Sequence, residues 1–409
     1  MRGKILSRNI VYITMKNNKI IQTKTGICID DFLAYGIRGE KYGVALIVNP
    51  EPCETAAVFT KNTAKAAPVL LDIEKLKKGG KFRAIIANSG NANCCTRTGI
   101  SDAEKMCEIA SEKLREINLN INSDEILVSS TGIIGRKLDV SEIEKLINKI
   151  KINKENYKSN SNSLDAAKAI MTTDTVPKEI SIVHEGIKIG GILKGVGMIA
   201  PDMATMLCFL VSNADFEKEE LQDALKKAVN DSFNMLVIDD MSTNDTVILM
   251  SNRKFKCSYG DFCHALNYAC VELTKKMARD GEGATKFLEV EVSGAKTKDD
   301  ARKGARAVIS SYLVKSAMFG ENPNWGRIAG ALGTVIEFDF QKTDVIFESG
   351  EKSYCVVEKG EVKDLAPAAE ILKNREIKVI VNLNSGDKKA TAYGCDLSYG
   401  YVKINAEYN

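Results

Sequence analysis

Short runs of Val, Ile, Leu and Ala bounded by Gly, Asn or Asp recur along the chain at 44–48, 84–87, 188–193, 206–212, 246–250, 287–293, 334–338 and 377–383. Each has the length and β-branched content of a strand. Between them apolar positions return every three or four residues. Leu221, Ala224, Leu225, Ala228 and Val229 share one face of 217–230, and Cys263, Leu266, Cys270, Leu273 and Met277 share one face of a later segment, so both read as helices turned toward a core. Ser101 with Glu104, and Ser141 with Glu144, read as capping boxes that open two further amphipathic helices. Strands and helices alternate without an internal repeat, which predicts an α/β or α+β layered protein. The stretch 150–163, IKINKENYKSNSNS, is the most polar connector and the expected surface loop.

At 409 residues and 44% hydrophobic content the chain is long enough for two lobes with a sizeable core. Its 57 basic and 54 acidic residues are spread along the length and leave a net charge of +3. That balance provides neither a nucleic-acid stripe nor a membrane-surface patch, and a small-molecule partner fits better. No run approaches the roughly 18–20 apolar residues of a membrane span. The opening MRGKILSRNIVYIT lacks an apolar signal-peptide core and a small-residue cleavage site, so a cytoplasmic protein is expected. The 11 cysteines lie in apolar patterns rather than CxxC pairs, which suits free thiols in a reducing compartment.

Only two histidines exist, His184 in the strand-like EISIVHEG and His264 in the cysteine-bearing helix, and each stands alone in its segment. A zinc site or a Ser-His-Asp triad would have to be built on one of them. No metal and no bound cofactor is therefore expected, and the base in any acyl-transfer chemistry must be something else.

Several segments crowd Asn, Gly, Thr and Asp: IANSGNANCCT (86–96), VSSTGIIG (128–135), AIMTTDT (169–175), LKGVGMIAPDMATM (193–206), DMSTNDT (240–246), ARDGEGATK (278–286) and ENPNWGRI (321–328). Each alone has the composition of a turn. Together, and in this order, with FTKNTAKAAPV and GCDLSYGYVKINAEY besides, they closely resemble the ornithine acetyltransferases of arginine biosynthesis, also called glutamate N-acetyltransferases. The likeness runs from about Gly36 to Glu407. It implies a chain that cuts itself between Ala204 and Thr205, giving an alpha fragment (15–204) and a beta fragment (205–409) that begins with the nucleophile. It also implies acetyl transfer from N2-acetylornithine to glutamate through an acetyl group on Thr205. The fold implied is a sandwich of sheets flanked by helices, like the N-terminal-nucleophile hydrolases but distinct from them. The assembly implied holds two copies of each fragment, a heterotetramer.

The chemistry of the residues agrees. A threonine hydroxyl is a weak nucleophile without a base, and a new α-amine on Thr205 would supply one attached to the nucleophile itself. Free α-amines titrate at about 7.7–8.0, near working pH. By resemblance Thr131, through its hydroxyl, and Gly132, through its backbone N–H, stabilise the tetrahedral oxyanion. Lys194, within the glycine-flanked LKGVG, is the natural cation for a substrate carboxylate. The resemblance assigns one threonine of TTDT, Thr172 or Thr173, to the substrate, Glu282 to the δ-ammonium of ornithine, and Asn405 to the C-terminal side of the site.

Enzymes of this kind come in two sorts, one recycling acetyl between ornithine and glutamate and one also drawing it from acetyl-CoA; no residue here separates them. Two other readings share the same features. A self-processing amidase would use the same Thr205 with water as acceptor, and in a non-catalytic binding protein the polar clusters would be turns. Residues 1–14 precede the resemblance and are expected to be an extension from a misassigned start. At the other end the chain closes INAEYN, with Asn409 where similar chains carry a first terminal threonine. Its side-chain amide both donates and accepts, so Asn409 is expected to take a modest part in holding substrate.

Overall fold

The computed structural model describes residues 11–15, 18–152, 161–197, 206–238 and 241–407. The chain divides into two compact units, the first made of Met1–Gly195, Met203–Val229 and Met241–Leu273, the second of Val196–Asp202, Asn230–Asp240 and Thr274–Asn409.

The strands of the first unit are β1 (Val11–Met15), β2 (Asn18–Gln22), β3 (Leu33–Arg38), β4 (Gly43–Phe59), β5 (Phe82–Asn91), β6 (Ile126–Ile133), β7 (Lys178–His184), β8 (Ile187–Lys194) and β9 (Leu207–Ala214). After β10 (Leu236–Val237), which belongs to the second unit, β11 (Thr246–Phe255) completes the set. They join in the order β1-β2-β7-β8-β9-β11-β4-β5-β6, with β3 beside β4. The β9–β11 and β5–β6 pairs are parallel. Strand β4 serves two neighbourhoods: residues 43–48 pair with β3 and β5, and 54–59 pair with β11. Pro50 and Pro52 fall at the register shift between the halves, where missing N–H donors do least harm.

Strand alternation sends β4 and β5 into two cores. Val44, Leu46, Val48, Ala84 and Ile86 pack with Met106, Ile109 and Leu114 of helix α2 (Gly99–Arg115) and with Ile143, Leu146 and Ile147 of α3 (Val140–Lys149). Their neighbours Ala45, Ile47, Ile85 and Ala87 face the other way. They meet Ala166 and Ala169 of α4 (Ser163–Ala169) together with Phe209, Val211, Ile248 and Met250 of β9 and β11. Sheet layers with helices packed on them are the layered α/β arrangement the sequence predicts. Helix α1 (Ala67–Lys78) packs beside β6, where its Asp72 accepts from Val128 N–H at 3.0 Å, and α5 (Lys218–Asp231) buries the five apolar residues expected of it. In α6 (Tyr259–Arg279) Leu266, Cys270, Leu273 and Met277 are buried, and Cys263 is half-buried.

The second unit has one sheet, ordered β10-β17-β12-β16-β13-β14-β15. Its further strands are β12 (Phe287–Ala295), β13 (Asp344–Ser349), β14 (Lys352–Glu358), β15 (Glu361–Val362), β16 (Glu376–Asn382) and β17 (Lys388–Cys395). Helices α7 (Lys298–Ser310), α8 (Tyr312–Phe319), α9 (Trp325–Gly333), α10 (Ala366–Leu372) and α11 (Tyr399–Glu407) accompany it.

Three local expectations change. Residues 334–338 are not a strand: α9 ends at Gly333, and Ile336 alone turns inward, its Cδ1 reaching the space beside Gly304 of α7, while Val335 is exposed. The two capping boxes sit too late. Helix α2 already begins at Gly99, with the Ser101 hydroxyl donating back to the Thr98 carbonyl, and α3 is capped by Asp139, whose side chain accepts from Glu142 N–H. The two histidines are not isolated, since the rings of His184 and His264 meet edge to face at 5.3 Å. At the N-terminus residues 1–10 lie outside the described residues, and Val11–Met15 pairs with β2 as an edge strand.

Candidate active site

Parallel pairing with β5 carries β6 to Thr131 and Gly132, and Gly90 stands in register with Gly132. Gly132 has φ +132°, and a Cβ on it would lie 2.4 Å from the Gly90 carbonyl carbon. Only glycine fits there. Thr131 is 1% exposed, and its Oγ accepts a hydrogen bond from Lys194 Nζ at 3.0 Å. Lys194 ends β8 and is 2% exposed. An ammonium has only protons to offer, so it occupies a lone pair of the threonine oxygen and leaves the hydroxyl proton for another acceptor.

Asp174 lies behind this pair. Its carboxylate accepts from Lys178 Nζ at 2.7 Å, from Gly195 N–H at 2.8 Å and from Thr172 N–H at 3.1 Å. Burial opposes its ionisation, yet the charges of Lys194 and Lys178 and the hydrogen bonds outweigh that, and the carboxyl is held below its ordinary range. Thr172 and Thr173 are both half-buried in the loop that leads to β7.

Two residues of STNDT, unassigned from the sequence, finish this part of the site. Asn244 is buried and its side-chain amide donates to the Ala92 carbonyl at 2.7 Å and the Ser130 carbonyl at 2.8 Å, tying the end of β5 to the residue before Thr131. Asp245 is fully buried, and its Oδ1 accepts Met206 N–H at 2.9 Å. Met206 follows Thr205 directly. Burial pushes the Asp245 carboxyl well above its usual range, against the pull of the Met206 hydrogen bond, Lys194 and Thr60. The signal available in the sequence was the motif itself; partners 39 to 152 residues away were not.

In the second unit Glu282 sits half-buried in the turn after α6, its N–H donating to the Val196 carbonyl at 3.0 Å. A Cβ on Gly197 would meet the Glu282 carboxyl at 2.5 Å, so glycine there leaves room for the carboxylate. Asn405, on α11, donates from Nδ2 to Glu282 Oε2 at 3.0 Å and to the Tyr401 carbonyl at 3.0 Å. Thr131, Gly132, Lys194 and the Thr172–Thr173 pair thus gather in the first unit, and Glu282 with Asn405 in the second. Ala204, Thr205 and Asn409 lie outside the described residues. Asn324 of ENPNWGRI caps α9, accepting from Arg327 N–H at 3.2 Å, a structural role for one motif of the resemblance. Among the described residues no helix is long and apolar enough to cross a membrane.

Residues 31–409 match the ArgJ family. A glutamate N-acetyltransferase of Methanocaldococcus jannaschii is 46% identical over 395 residues, covering 92% of this chain and 96% of that protein. An arginine biosynthesis bifunctional protein ArgJ of Caldanaerobacter subterraneus is 44% identical over 392 residues, covering 91% of this chain and 94% of that protein. Among solved structures, an ArgJ protein from Bacillus halodurans matches at 36% identity with a TM-score of 0.46, covering 49% of this chain and 98% of that one. The family defines an acyltransferase. The chain belongs to the ArgJ family of arginine biosynthesis.

Proposed function

We propose that the chain cuts itself between Ala204 and Thr205 and then, as a glutamate N-acetyltransferase, moves acetyl from N2-acetylornithine to glutamate through an acetyl-Thr205 ester. The observation that carries this reading is the Lys194–Thr131 pair beside the glycine-only backbone of Gly132. A hydroxyl whose lone pair is taken by a buried ammonium is a preorganised donor, which is what a tetrahedral oxyanion requires. In the self-cleavage Thr205 Oγ attacks the Ala204 carbonyl, the peptide nitrogen leaves as the new α-amine, and water opens the resulting ester. In the transfer that amine takes the Thr205 hydroxyl proton as Oγ attacks the acetyl carbon, and passes it to the departing ornithine nitrogen. Glutamate nitrogen then attacks the ester, and the proton it gives up passes by way of the α-amine to the departing Oγ.

Glu282 pairs with the ornithine ammonium, Asn405 orients that carboxylate, and one of Thr172 and Thr173 contacts the substrate. Lys194 acts in this scheme through Thr131 as well as by its charge on the carboxylate. No metal or bound cofactor has a part in the scheme. The relatives carry both the single and the bifunctional name, and assays with acetylornithine and with acetyl-CoA as donors decide which applies. A fragment-paired assembly, two of each, is proposed on the family likeness.

Thr205→Ala tests the core of the reading. The variant should run as one full-length folded chain on a denaturing gel, inactive, where the parent gives two bands of nearly equal size. A normally processed Thr205→Ala protein refutes it, and acetyl release without glutamate makes the enzyme an amidase.

A further inference from the structure

The loop after β5 carries adjacent cysteines, Cys94 and Cys95, both free. Along an extended chain, successive side chains point to opposite sides. Here the backbone takes left-handed φ at Asn93 (46°) and Cys95 (57°), a conformation L residues seldom adopt, and the two sulfurs lie 3.5 Å apart. Both flanks of the turn are tied down. Ala92 N–H donates to the Ile133 carbonyl at 3.0 Å, Gly135 N–H to the Cys94 carbonyl at 3.0 Å, and Asn93 N–H to the Asn91 side chain at 2.7 Å. Cys94 is buried among Ala66, Val69 and Ala92, while Cys95 is exposed.

We propose that Cys94 and Cys95 form a chelating dithiol site for a trivalent arsenical, and that filling it slows acetyl transfer. The second half rests on the oxyanion role proposed for Thr131 and Gly132. A centre bonded to two thiolates at ~2.3 Å, with an angle between ~90° and ~110°, holds its sulfurs ~3.3–3.8 Å apart, which spans the separation observed. Direct closure to a disulfide fits worse: adjacent Cα atoms stand ~3.8 Å apart, inside the ~4.4 Å lower limit of ordinary disulfides. Two sulfurs are too few for tetrahedral zinc, and no cluster of three metal-binding side chains forms among the described residues. An arsenic(III) oxide R–As=O reacts with both thiols to give two As–S bonds, its oxygen leaving as water with the two thiol protons and arsenic staying trivalent. Cys95 is exposed and attacks first; Cys94, buried and with its thiol pushed up by that burial, closes the ring. The sulfur spacing need not change, but the arsenic and its organic group need room beside Cys94, packed among Ala66, Val69 and Ala92, and that bulk loads the two hydrogen bonds that tie this loop to Ile133 and Gly135 just past Gly132.

Phenylarsine oxide and the full chain test this. Native mass spectrometry should find one phenylarsenic per chain, added with loss of one water, stable to a monothiol and stripped by 2,3-dimercaptopropanol. Cys95→Ser, at an exposed position, should fold normally and lose that adduct. A parent without the adduct, or a Cys95→Ser protein that keeps it, overturns the site. Loss of an oxyanion donor costs about 10²–10³ in rate, so its displacement should slow acetyl transfer about tenfold or more in the parent but not in Cys95→Ser. Undiminished transfer by the loaded parent overturns the second half. A chain inactive before any treatment refutes the proposed function instead, and the mass measurement still decides the site.

Discussion

An ammonium held against a hydroxyl fixes where that hydroxyl can point, and the consequence can be measured at Thr131. Thr131→Val keeps the shape and loses the donor, so kcat should fall about 10²–10³-fold; Thr131→Ser keeps the donor and should retain most of the activity. Steady-state acetyl transfer checks both, and equal losses in the two variants would make the residue structural. At Asp245 burial pushes the carboxyl well above its usual range and so favours the neutral form, which an amide imitates. Asp245→Asn should leave folding and self-cleavage intact, whereas Asp245→Ala strands the buried Met206 N–H, costs about 1–3 kcal/mol and slows self-cleavage. Urea denaturation and a timed gel separate the two. Thr131, Gly132 and Lys194 were nameable from the sequence because they lie in motifs. Asn244 and Asp245 lie in one too, but buried side-chain amides and carboxyls in a loop are composed like turn residues until their distant partners are known.

Among the elements, Asp174 joins the loop after α4 to the start of β7 and the end of β8. Its folded pKa is depressed, so the stability it contributes is present above its unfolded value of about 3.9 and is lost as pH falls through the lower folded value. Asp174→Asn removes the carboxylate facing two buried lysines and should cost about 3–5 kcal/mol near neutrality. The gap between variant and parent should narrow as the pH is lowered past the unfolded value of about 3.9 and through the lower folded one, as denaturant titrations at neutral and acid pH would reveal. Strands rich in Val and Ile were legible because both faces of β4 and β5 are buried. Strand β17, KKATAYGC, was not, since it opens on two exposed lysines and lacks a sustained β-branched run. The misplaced helix starts have a common cause: more than one Ser, Thr or Asp stands near each, and the true cap is the one whose backbone leaves the helix.

At the scale of the whole molecule, layered α/β architecture and the family were both readable, the first from alternating patterns and the second from nine motifs in one order. Two compact units were anticipated from length alone. Their boundaries were not, because each unit is assembled from separated stretches of chain. The interleaving has a further consequence inside the first unit. Strands run β8, β9, β11, β4 side by side, and a cut before residue 205 would leave β8 and β4 on one piece and β9 and β11 on the other. The severed chains would then be partners in one continuous ladder, with the new chain end entering a wholly buried inner strand. That strand is hydrogen-bonded to a neighbour on each side. The two pieces should elute together from a gel-filtration column without denaturant and melt in a single transition, and amide hydrogens of Cys208–Val211 should exchange among the slowest in the protein, cut or uncut. Separation under native conditions would contradict the strand order. Breaking the backbone there frees an amine without freeing a fragment.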